Sequence, residues 1–468
     1  MSVSAWSIDN TSGNARCDEP LRTLTRPSNP IRLVLTMNLT TFQRLLIASA
    51  LLAVAPAAAC AQRATSRSTM GFAPDRLARI DKFMQQYVDS GRIGGAVGLV
   101  LRDGKVVYEH SVGWSDKSVN RRMAPDAIFR IASQSKALTS ASILMLVEEG
   151  KIALNDPVSR FIPAYAQTTV ALRSDTGRTV VPAKRRITIK DLLTHTAGIS
   201  YGTDAFVAQK YAATGLGPAA GWGWYTADKD EPICTTMERL ATVPFVAQPG
   251  EAWVYGYNID LLGCVVERAS GIPLDEFVRT RITAPLHMND THFFLPPAQR
   301  ARLVTVYADT AGHLYRAPDG PRGQGDYVDG PRKSFAGGAG LLSTAHDYAR
   351  FLQMILNHGE MDGVRYLSPK MVNLMTTPQS GTLYGTPGQG FGLGFQTVEK
   401  LGADGLASVG SFGWGGAYAS TYKVDPAEGL VIVFMMNQLP NGSDIGGKFP
   451  TLVYQALVAP RAGVVVQR

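Results

Sequence analysis

The stretch FRIASQSKALTSASILMLVEEG, residues 129–150, predicts a helix with apolar side chains on nearly every face. A helix of that kind is buried on all sides, so the fold has to surround it with other elements. Ser133 stands three residues before Lys136 at the start of this stretch, and residues at that spacing share one face of a helix. We therefore expect both side chains at the inner end of a central helix.

A serine hydroxyl needs a base within hydrogen-bond reach to act as a nucleophile, and Lys136 lies one turn from Ser133. The helix N-terminus adds free N–H groups and a dipole that favour developing negative charge. The alternative is that Ser133 only caps the helix. The spacing alone is weak support, because S-x-x-K occurs again at Ser420 and Lys423. That copy lies in a predicted strand, where positions i and i+3 face opposite sides.

A rival serine, Ser200, lies in GISYG, residues 198–202, which matches the G-x-S-x-G pattern of a nucleophile elbow. That motif requires a strand before it and a helix after it. The preceding sequence, ITIKDLLTHTAG, instead predicts a helix that ends at Gly198. We therefore expect no catalytic role for Ser200, and we interpret His195 as a structural hydrogen-bonding residue.

The composition is that of a globular protein, with 45% hydrophobic and 18% charged residues. The net charge of +8 is spread along the chain, and no Lys/Arg block has interleaved aromatic residues, so we predict no nucleic acid partner. The sequence has neither a C-x-x-C nor an H-E-x-x-H pattern, and we predict no metal site and no cofactor. Cys234 and Cys264 either pair as a disulfide or leave Cys264 as a buried free thiol.

The N-terminal part predicts a signal peptide at residues 37–61, preceded by an upstream extension, residues 1–36, if Met37 is the natural start. Arg44 supplies the basic region, and the apolar run that follows is too short for a membrane span. Cleavage after Ala61 would release a periplasmic or secreted protein. A lipid anchor at Cys60 is disfavoured, because Ala57 occupies the place where such signals usually carry Leu.

Strands are predicted at both ends of the chain, with helical sequence between them. Residues 75–91 predict an amphipathic helix, and the sequence after it predicts a β-hairpin that turns at Asp103-Gly104. Three C-terminal runs, FGLGFQTVEK, GAYASTYKVDP and GLVIVFMMNQ, predict further strands, and a last helix is predicted from Thr451 to Leu457.

The predicted fold class is α+β, with one antiparallel sheet built from N- and C-terminal strands and flanked by helices. A mainly helical subdomain, at about residues 155–330, is inserted in a single hydrolase domain that spans residues 75–460. Gly338-Ala339-Gly340 predicts a tight turn before a helix. A cleft between the sheet and the helical subdomain is the natural place for a site.

The stretch from FRIASQSKALTSASILMLVEEG to DPVSRFIP, with LLTHTAGI after it, resembles the serine β-lactamase and penicillin-binding superfamily. Within it, the sequence is most similar to class C β-lactamase-like hydrolases, including the family VIII carboxylesterases. The resemblance covers roughly residues 75–460. It implies a β-lactamase/transpeptidase-like fold, acylation of Ser133, and a proton-transfer role for Lys136.

The resemblance also aligns Tyr255, in PGEAWVYGYNIDLLG, with the family's catalytic tyrosine. Tyr257 stands where the Y-x-N form has Asn, as in family VIII esterases, and it is a competing candidate for catalysis and for substrate binding. A tyrosine acts as a base only if its pKa falls well below about 10, which a nearby Lys136 ammonium favours. Tyr255 would then pass the serine proton to the leaving group. Whether Lys136 or Tyr255 is the ground-state base stays open.

Trp414-Gly415-Gly416 in SFGWGGAYAS matches the family's third element, a K-T-G, H-x-G or W-G-G triplet beside the cleft. By resemblance, the N–H of Ala417 joins the N–H of Ser133 as the oxyanion hole. Trp414 replaces a cation by an apolar wall with one N–H donor, which favours uncharged esters. Three further aromatic residues are candidates for lining the substrate site: Trp222, Trp224 and Tyr225.

The sequence thus predicts an exported serine hydrolase that cleaves short- to medium-chain carboxylic esters through an acyl-enzyme at Ser133. β-Lactamase or D-amino peptidase (amidase) activity is the alternative on the same fold. A non-catalytic cell-envelope binding protein is the alternative of a different class, and the set Ser133, Lys136 and Tyr255 argues against it. The oligomeric state is not determined by the sequence.

Overall fold

The computed structural model describes residues 70–174, 177–218, 227–310, 312–459 and 461. The predicted signal peptide, the alternative anchor at Cys60 and the aromatic candidates Trp222, Trp224 and Tyr225 lie outside these residues. The strands of the described chain are β1 Gly95–Arg102, β2 Lys105–Asp116, β3 Arg121–Arg122, β4 Phe129–Arg130, β5 Thr169–Ser174, β6 Gly177–Pro182, β7 Tyr307–Thr310, β8 His313–Arg316, β9 Leu342–Ser343, β10 Glu360–Met361, β11 Val364–Arg365, β12 Gln389–Phe391, β13 Gln396–Val398, β14 Phe412–Gly415, β15 Thr421–Asp425 and β16 Leu430–Met435.

Strands from both ends of the chain form one antiparallel sheet, in the order β12-β13-β14-β15-β16-β1-β2-β3. The N-terminal β1 pairs with the C-terminal β16, and Val97 lies opposite Met435. The predicted hairpin turn is confirmed, since Asp103 and Gly104 have φ values of +49° and +75°, which a two-residue hairpin turn of this type requires. The predicted sheet architecture is therefore confirmed.

Helices cover both faces of this sheet. Their bounds are α1 Pro74–Asp89, α2 Ser135–Glu148, α3 Ile189–Leu193, α4 Ala205–Ala213, α5 Ile233–Leu240, α6 Asn258–Ser270, α7 Leu274–Val278, α8 Ala345–Leu356, α9 Pro369–Thr376 and α10 Ile445–Ala456. Short 3₁₀ turns span Ala132–Gln134, Val158–Arg160, Pro163–Ala166, Pro297–Arg302 and Gly381–Tyr384, and a π-helical turn spans Arg279–Thr283.

Alternate residues of β1 point into two different cores, as the pleat of a strand requires. Val100 packs in the core under α1 and α10, which contains Ile80 and Phe449. Leu99 packs in the larger core that contains Leu138 of α2 and residues of α8. Every residue of α2 from Ser135 to Leu146 is buried, which confirms the central helix expected from its all-round apolar sequence.

Three local predictions are corrected by the structure. The last helix begins at Ile445 rather than Thr451, because tertiary packing overrides the low helix propensity of its glycines and of Pro450. Residues 416–420, predicted as strand, form a turn before β15. The helix predicted to end at Gly198 is only the five-residue α3, and His195 after it has φ +58°.

The middle of the chain, predicted to be mainly helical, holds α3 to α7 together with the hairpins β5–β6 and β7–β8. Cys234 of α5 and Cys264 of α6 form a disulfide, which decides between the two alternatives left by the sequence. The disulfide ties α5 to α6, and α6 packs directly against α2. This arrangement brings the middle segment against the central helix.

Candidate active site

Ser133 lies in a 3₁₀ turn between β4 and α2, and α2 itself begins at Ser135. The turn is entered through Ala132, whose φ of +43° lies in the left-handed region. Strain of this kind in a residue other than glycine concentrates at functional sites. The Ser133 side chain makes no capping hydrogen bond to α2, so Ser133 does not act as the cap of this helix. Its side chain instead faces Lys136.

Lys136 is buried, and its ammonium donates three hydrogen bonds. Nζ lies 3.1 Å from Ser133 Oγ, 3.0 Å from the Tyr201 hydroxyl and 2.7 Å from the Gly338 carbonyl oxygen. An ammonium has three donors and no acceptor, so this environment satisfies the charged form completely. The resting lysine is therefore a proton donor that orients the serine hydroxyl.

The electrostatic surroundings keep this lysine protonated. Burial lowers the pKa of Lys136, but Tyr201, Tyr255 and Asp260 together outweigh burial and raise that pKa above its ordinary value. Burial also raises the pKa of Tyr201, against the influence of the lysine. At neutral pH Lys136 is thus an ammonium and Tyr201 is a neutral phenol.

Tyr201 is a site residue that the sequence interpretation missed. It belongs to GISYG, the segment considered above only for Ser200. Ser200 accepts a hydrogen bond from the N–H of Gly202 at 3.1 Å and has no strand before it, so the nucleophile elbow is absent. The sequence signal for Tyr201 was its position directly after LLTHTAGIS, in the segment that carried part of the resemblance.

Tyr255 lies beside the lysine but does not share its hydrogen bonds. Its ring centroid is 4.8 Å from Lys136 Nζ, and its hydroxyl accepts a hydrogen bond from Trp414 Nε1 at 3.0 Å. The indole N–H therefore donates to Tyr255, whereas the sequence suggested that it would donate to the substrate. Because the phenol oxygen accepts from Trp414, its own proton is free to point elsewhere.

The structure corrects the prediction that Tyr257 takes part in catalysis or substrate binding. The side chain is fully buried and packs edge-on against the ring of Tyr201, with 4.6 Å between centroids. A buried side chain presents no surface to a substrate, so Tyr257 supports the site from behind. Gly256 makes this packing possible, because a Cβ there would lie 2.3 Å from the Ile199 carbonyl oxygen.

The Trp-Gly-Gly triplet forms the end of β14 and the turn after it, at the edge of the serine's turn. A Cβ on Gly416 would lie 2.5 Å from the carbonyl oxygen of Ile131, so only glycine permits this approach. The N–H groups of Ser133 and Ala417 donate to no backbone carbonyl within the described chain. Both are available to a substrate oxygen, as an oxyanion hole requires.

Four half-buried or buried aromatic rings continue the wall that Trp414 begins. Trp253 stacks on Tyr255 at 5.7 Å, and both Tyr384 and Phe391 contact Trp253. His195 is enclosed by this group and lies 2.9 Å from Asn258 Nδ2 through its Nδ1 atom. Burial holds the pKa of His195 well below its usual value, with Lys136 adding to the effect. This neutral, packed imidazole has the structural role expected for it.

The second S-x-x-K copy does not form a comparable pair. Lys423 forms an ion pair with Asp404 and lines a cavity of about 290 Å³ beside α10. Ser420 Oγ is buried without a hydrogen-bond partner in the described chain. The two side chains do not meet, as the strand geometry predicted, so only the first copy assembles a serine and a lysine.

Among the residues that the structure describes, no cluster of His, Cys, Asp or Glu is suited to hold a metal ion. No helix in the same residues is both long enough and apolar enough to cross a bilayer.

Comparison with known proteins identifies the family of this chain. The family model described as Beta-lactamase matches residues 80–452. Esterase EstB of Burkholderia gladioli is 31% identical over 381 residues, which cover 78% of this chain and 91% of EstB. An uncharacterized protein of Mycobacterium tuberculosis is 34% identical over 379 residues, 76% of this chain and 89% of the relative.

Solved structures agree as well. The structure of EstCE1, a hydrolase with promiscuous acyltransferase activity, matches with a TM-score of 0.68 at 27% identity, covering 82% of this chain and 99% of EstCE1. The fold, the serine-lysine pair and the family match lead to one conclusion. The chain belongs to the β-lactamase family and is a serine hydrolase of that fold.

Proposed function

We propose that the protein is an exported carboxylesterase, of the family VIII type, that works through an acyl-enzyme at Ser133. The observation that carries this proposal is the contact between Lys136 Nζ and Ser133 Oγ at 3.1 Å, beside the available N–H of Ala417. The proposed nucleophile, the cation that orients it and the proposed oxyanion donors lie together. EstB and EstCE1, an esterase and a hydrolase by name, support the reaction class.

In the proposed reaction, Ser133 Oγ attacks the ester carbonyl carbon, and the carbonyl oxygen takes up negative charge between the N–H groups of Ser133 and Ala417. Lys136 gives a proton through Tyr255 to the departing alcohol and takes the serine proton in exchange, so the lysine is again an ammonium in the acyl-enzyme. Water then attacks the acyl-serine, and its proton returns by the same groups as the carboxylic acid leaves. The net reaction consumes one ester and one water and yields one acid and one alcohol.

The aromatic wall favours uncharged esters over β-lactams and peptides that carry a carboxylate. Trp414 is neutral, and its N–H is already used by Tyr255. Trp253 and Tyr384 extend this neutral surface. A carboxylate placed against such a wall would lose hydration without gaining a partner. This surface favours esters over the β-lactamase and D-amino peptidase alternatives.

The Cys234–Cys264 disulfide supports the proposed export. Disulfides persist in the periplasm and outside the cell and are rare in a reducing cytosol. Detection of the mature N-terminus at Gln62 in a periplasmic or culture fraction would test this part. Retention of the full-length chain in the cytosol would contradict it.

The central test compares turnover of a p-nitrophenyl ester with turnover of nitrocefin. We expect ester turnover that Ser133→Ala abolishes, while Ser200→Ala, the matched control, keeps it. A fluorophosphonate probe should label the peptide that contains Ser133. Full turnover by Ser133→Ala would refute the nucleophile, faster turnover of nitrocefin would favour the β-lactamase alternative, and no label at all would favour a binding protein.

A further inference from the structure

A glycine segment, residues 337 and 338, passes between the buried helices α2 and α6. On one side the Thr139 hydroxyl donates to the Gly337 carbonyl oxygen at 2.8 Å, and Lys136 donates to the Gly338 carbonyl oxygen at 2.7 Å. On the other side the Gly338 N–H donates to Asp260 Oδ1 at 3.0 Å. Gly338 therefore links the lysine of α2 to the aspartate of α6.

This link depends on glycine and on close approach. A Cβ at Gly338 would lie 2.3 Å from Asp260 Oδ2, and a Cβ at Gly337 would lie 2.9 Å from the Ile259 carbonyl oxygen. The turn predicted at residues 338–340 thus does more than reverse the chain before β9 and α8. It lets a carboxylate and an ammonium on different helices hold the same residue.

The Lys136 ammonium donates to no carboxylate in the described residues. The three acceptors of the Lys136 ammonium in the described residues are a hydroxyl, a phenol and a backbone carbonyl, and all of them are neutral. A buried charge without compensation is costly. Asp260, only 1% exposed, is the acidic group whose charge acts on this lysine. The ionisable groups that face Asp260 are Lys136 on α2 and Tyr201 on the segment after α3.

We propose that Asp260 is a positioning residue, which supplies the negative charge that holds the Lys136 ammonium at Ser133 and is itself fixed by the Gly338 backbone. The inference rests on the proposed role of Lys136 in ester cleavage. Asp260 does not touch the substrate or the reacting atoms. It acts across Gly338, on the position and protonation of the lysine.

The pH dependence of such an arrangement has a definite sign. Burial raises the pKa of Asp260 to about 6, against the opposing effects of the Lys136 ammonium and the Gly338 N–H. The carboxylate is ionised above that pH and neutral below it. Activity that needs the ionised form should rise as the pH rises through about 6. His195 does not account for such a rise, because its pKa lies well below the usual range.

The test is the pH profile of kcat/KM for a p-nitrophenyl ester in the wild type, Asp260→Asn and Asp347→Asn. Asparagine keeps the volume and can still accept the Gly338 N–H, so only the charge is removed. Asp347 is the matched control, because it is a buried acid of α8 that also accepts a backbone N–H, from Asp290 at 2.8 Å. Thermal unfolding of each variant checks that it is folded.

We expect Asp260→Asn to lower kcat/KM at neutral pH about tenfold or more and to lose the rise near pH 6, while Asp347→Asn keeps both. Wild-type activity in Asp260→Asn, or a low activity that keeps the same rise, would overturn the assignment. If Asp260→Asn does not fold, the proposal is tested by the rate at which the fluorophosphonate probe labels Ser133 in the wild type, measured as a function of pH. A rise near pH 6 supports the proposal, and its absence overturns it. No turnover and no label in the wild type would overturn the proposed function as well.

Discussion

At the scale of single residues, two tyrosines compete for the proton-transfer role. Tyr201 holds the hydrogen bond to Lys136, while Tyr255 offers its ring face to the ammonium and receives the N–H of Trp414. Both side chains are half-buried, so exposure does not distinguish them. Burial raises the pKa of Tyr201, which keeps that phenol neutral, and the family resemblance aligns Tyr255 with the catalytic tyrosine, so we expect Tyr255 to exchange a proton with the substrate.

Tyr255→Phe should therefore lower kcat by about 10²- to 10⁴-fold, the range for loss of a general acid-base group. Tyr201→Phe is the matched control, because it removes one of three acceptors from Lys136 and should cost about tenfold or less. Steady-state kinetics with a p-nitrophenyl ester measures both. A larger loss in Tyr201→Phe would reverse the two assignments.

Trp414→Phe tests the support that Tyr255 receives. Phenylalanine keeps an apolar ring but removes the N–H that the Tyr255 hydroxyl accepts. A net hydrogen bond contributes about 0.5–1.5 kcal/mol, so kcat should fall roughly 2- to 13-fold. KM should change little, because the apolar wall remains. An unchanged kcat with a raised KM would show instead that Trp414 acts on substrate binding.

At the scale of elements, the site depends on how closely β14 approaches the turn before α2. Gly416 is the residue that allows this approach, since its backbone lies against the Ile131 carbonyl oxygen. Ala417 lies in the turn that follows β14, and Ser133 lies in the turn before α2. The spacing of the two proposed oxyanion donors is therefore set by a contact between two elements.

Gly416→Ala should lower kcat/KM by about 10²-fold or more, because a displacement of about 1 Å at a reacting centre has an effect of that size. Gly447→Ala is the matched control, since a Cβ at Gly447 of α10 meets no atom within 4 Å. That control should keep full activity. Equal activity of both variants would contradict the proposed position of Ala417.

At the scale of the whole molecule, the sheet closes only when the two ends of the chain meet. β1 lies between β2 and β16, and its partner β16 comes from the far end of the sequence. Contacts between such distant segments carry a large loop-closure entropy and slow folding. The middle segment adds one covalent tie of its own, the disulfide between α5 and α6.

The variant Cys234→Ser/Cys264→Ser should lower the free energy of unfolding by about 2–4 kcal/mol, because its unfolded state is no longer restricted by a closed loop. Activity at 25 °C should remain, since α6 stays packed against α2. Denaturant unfolding with and without dithiothreitol measures the effect. The reductant should destabilise the wild type and leave the double variant unchanged, and equal midpoints for both proteins would contradict the stabilising role.

The sequence by itself determined the central helix, the sheet from both chain ends and the pairing of Ser133 with Lys136. The helix, the individual strands and the serine-lysine pair follow from periodicity and short spacing, and one antiparallel sheet is the simplest assembly of strands that lie at both ends of the chain. Only the tertiary structure decided the rest: Tyr201 reaches Lys136 from another segment, Tyr257 is buried, and Gly338 is hydrogen-bonded to both Asp260 and Lys136. Those contacts join residues far apart in sequence, and their geometry is set by how the helices pack, which no local pattern encodes.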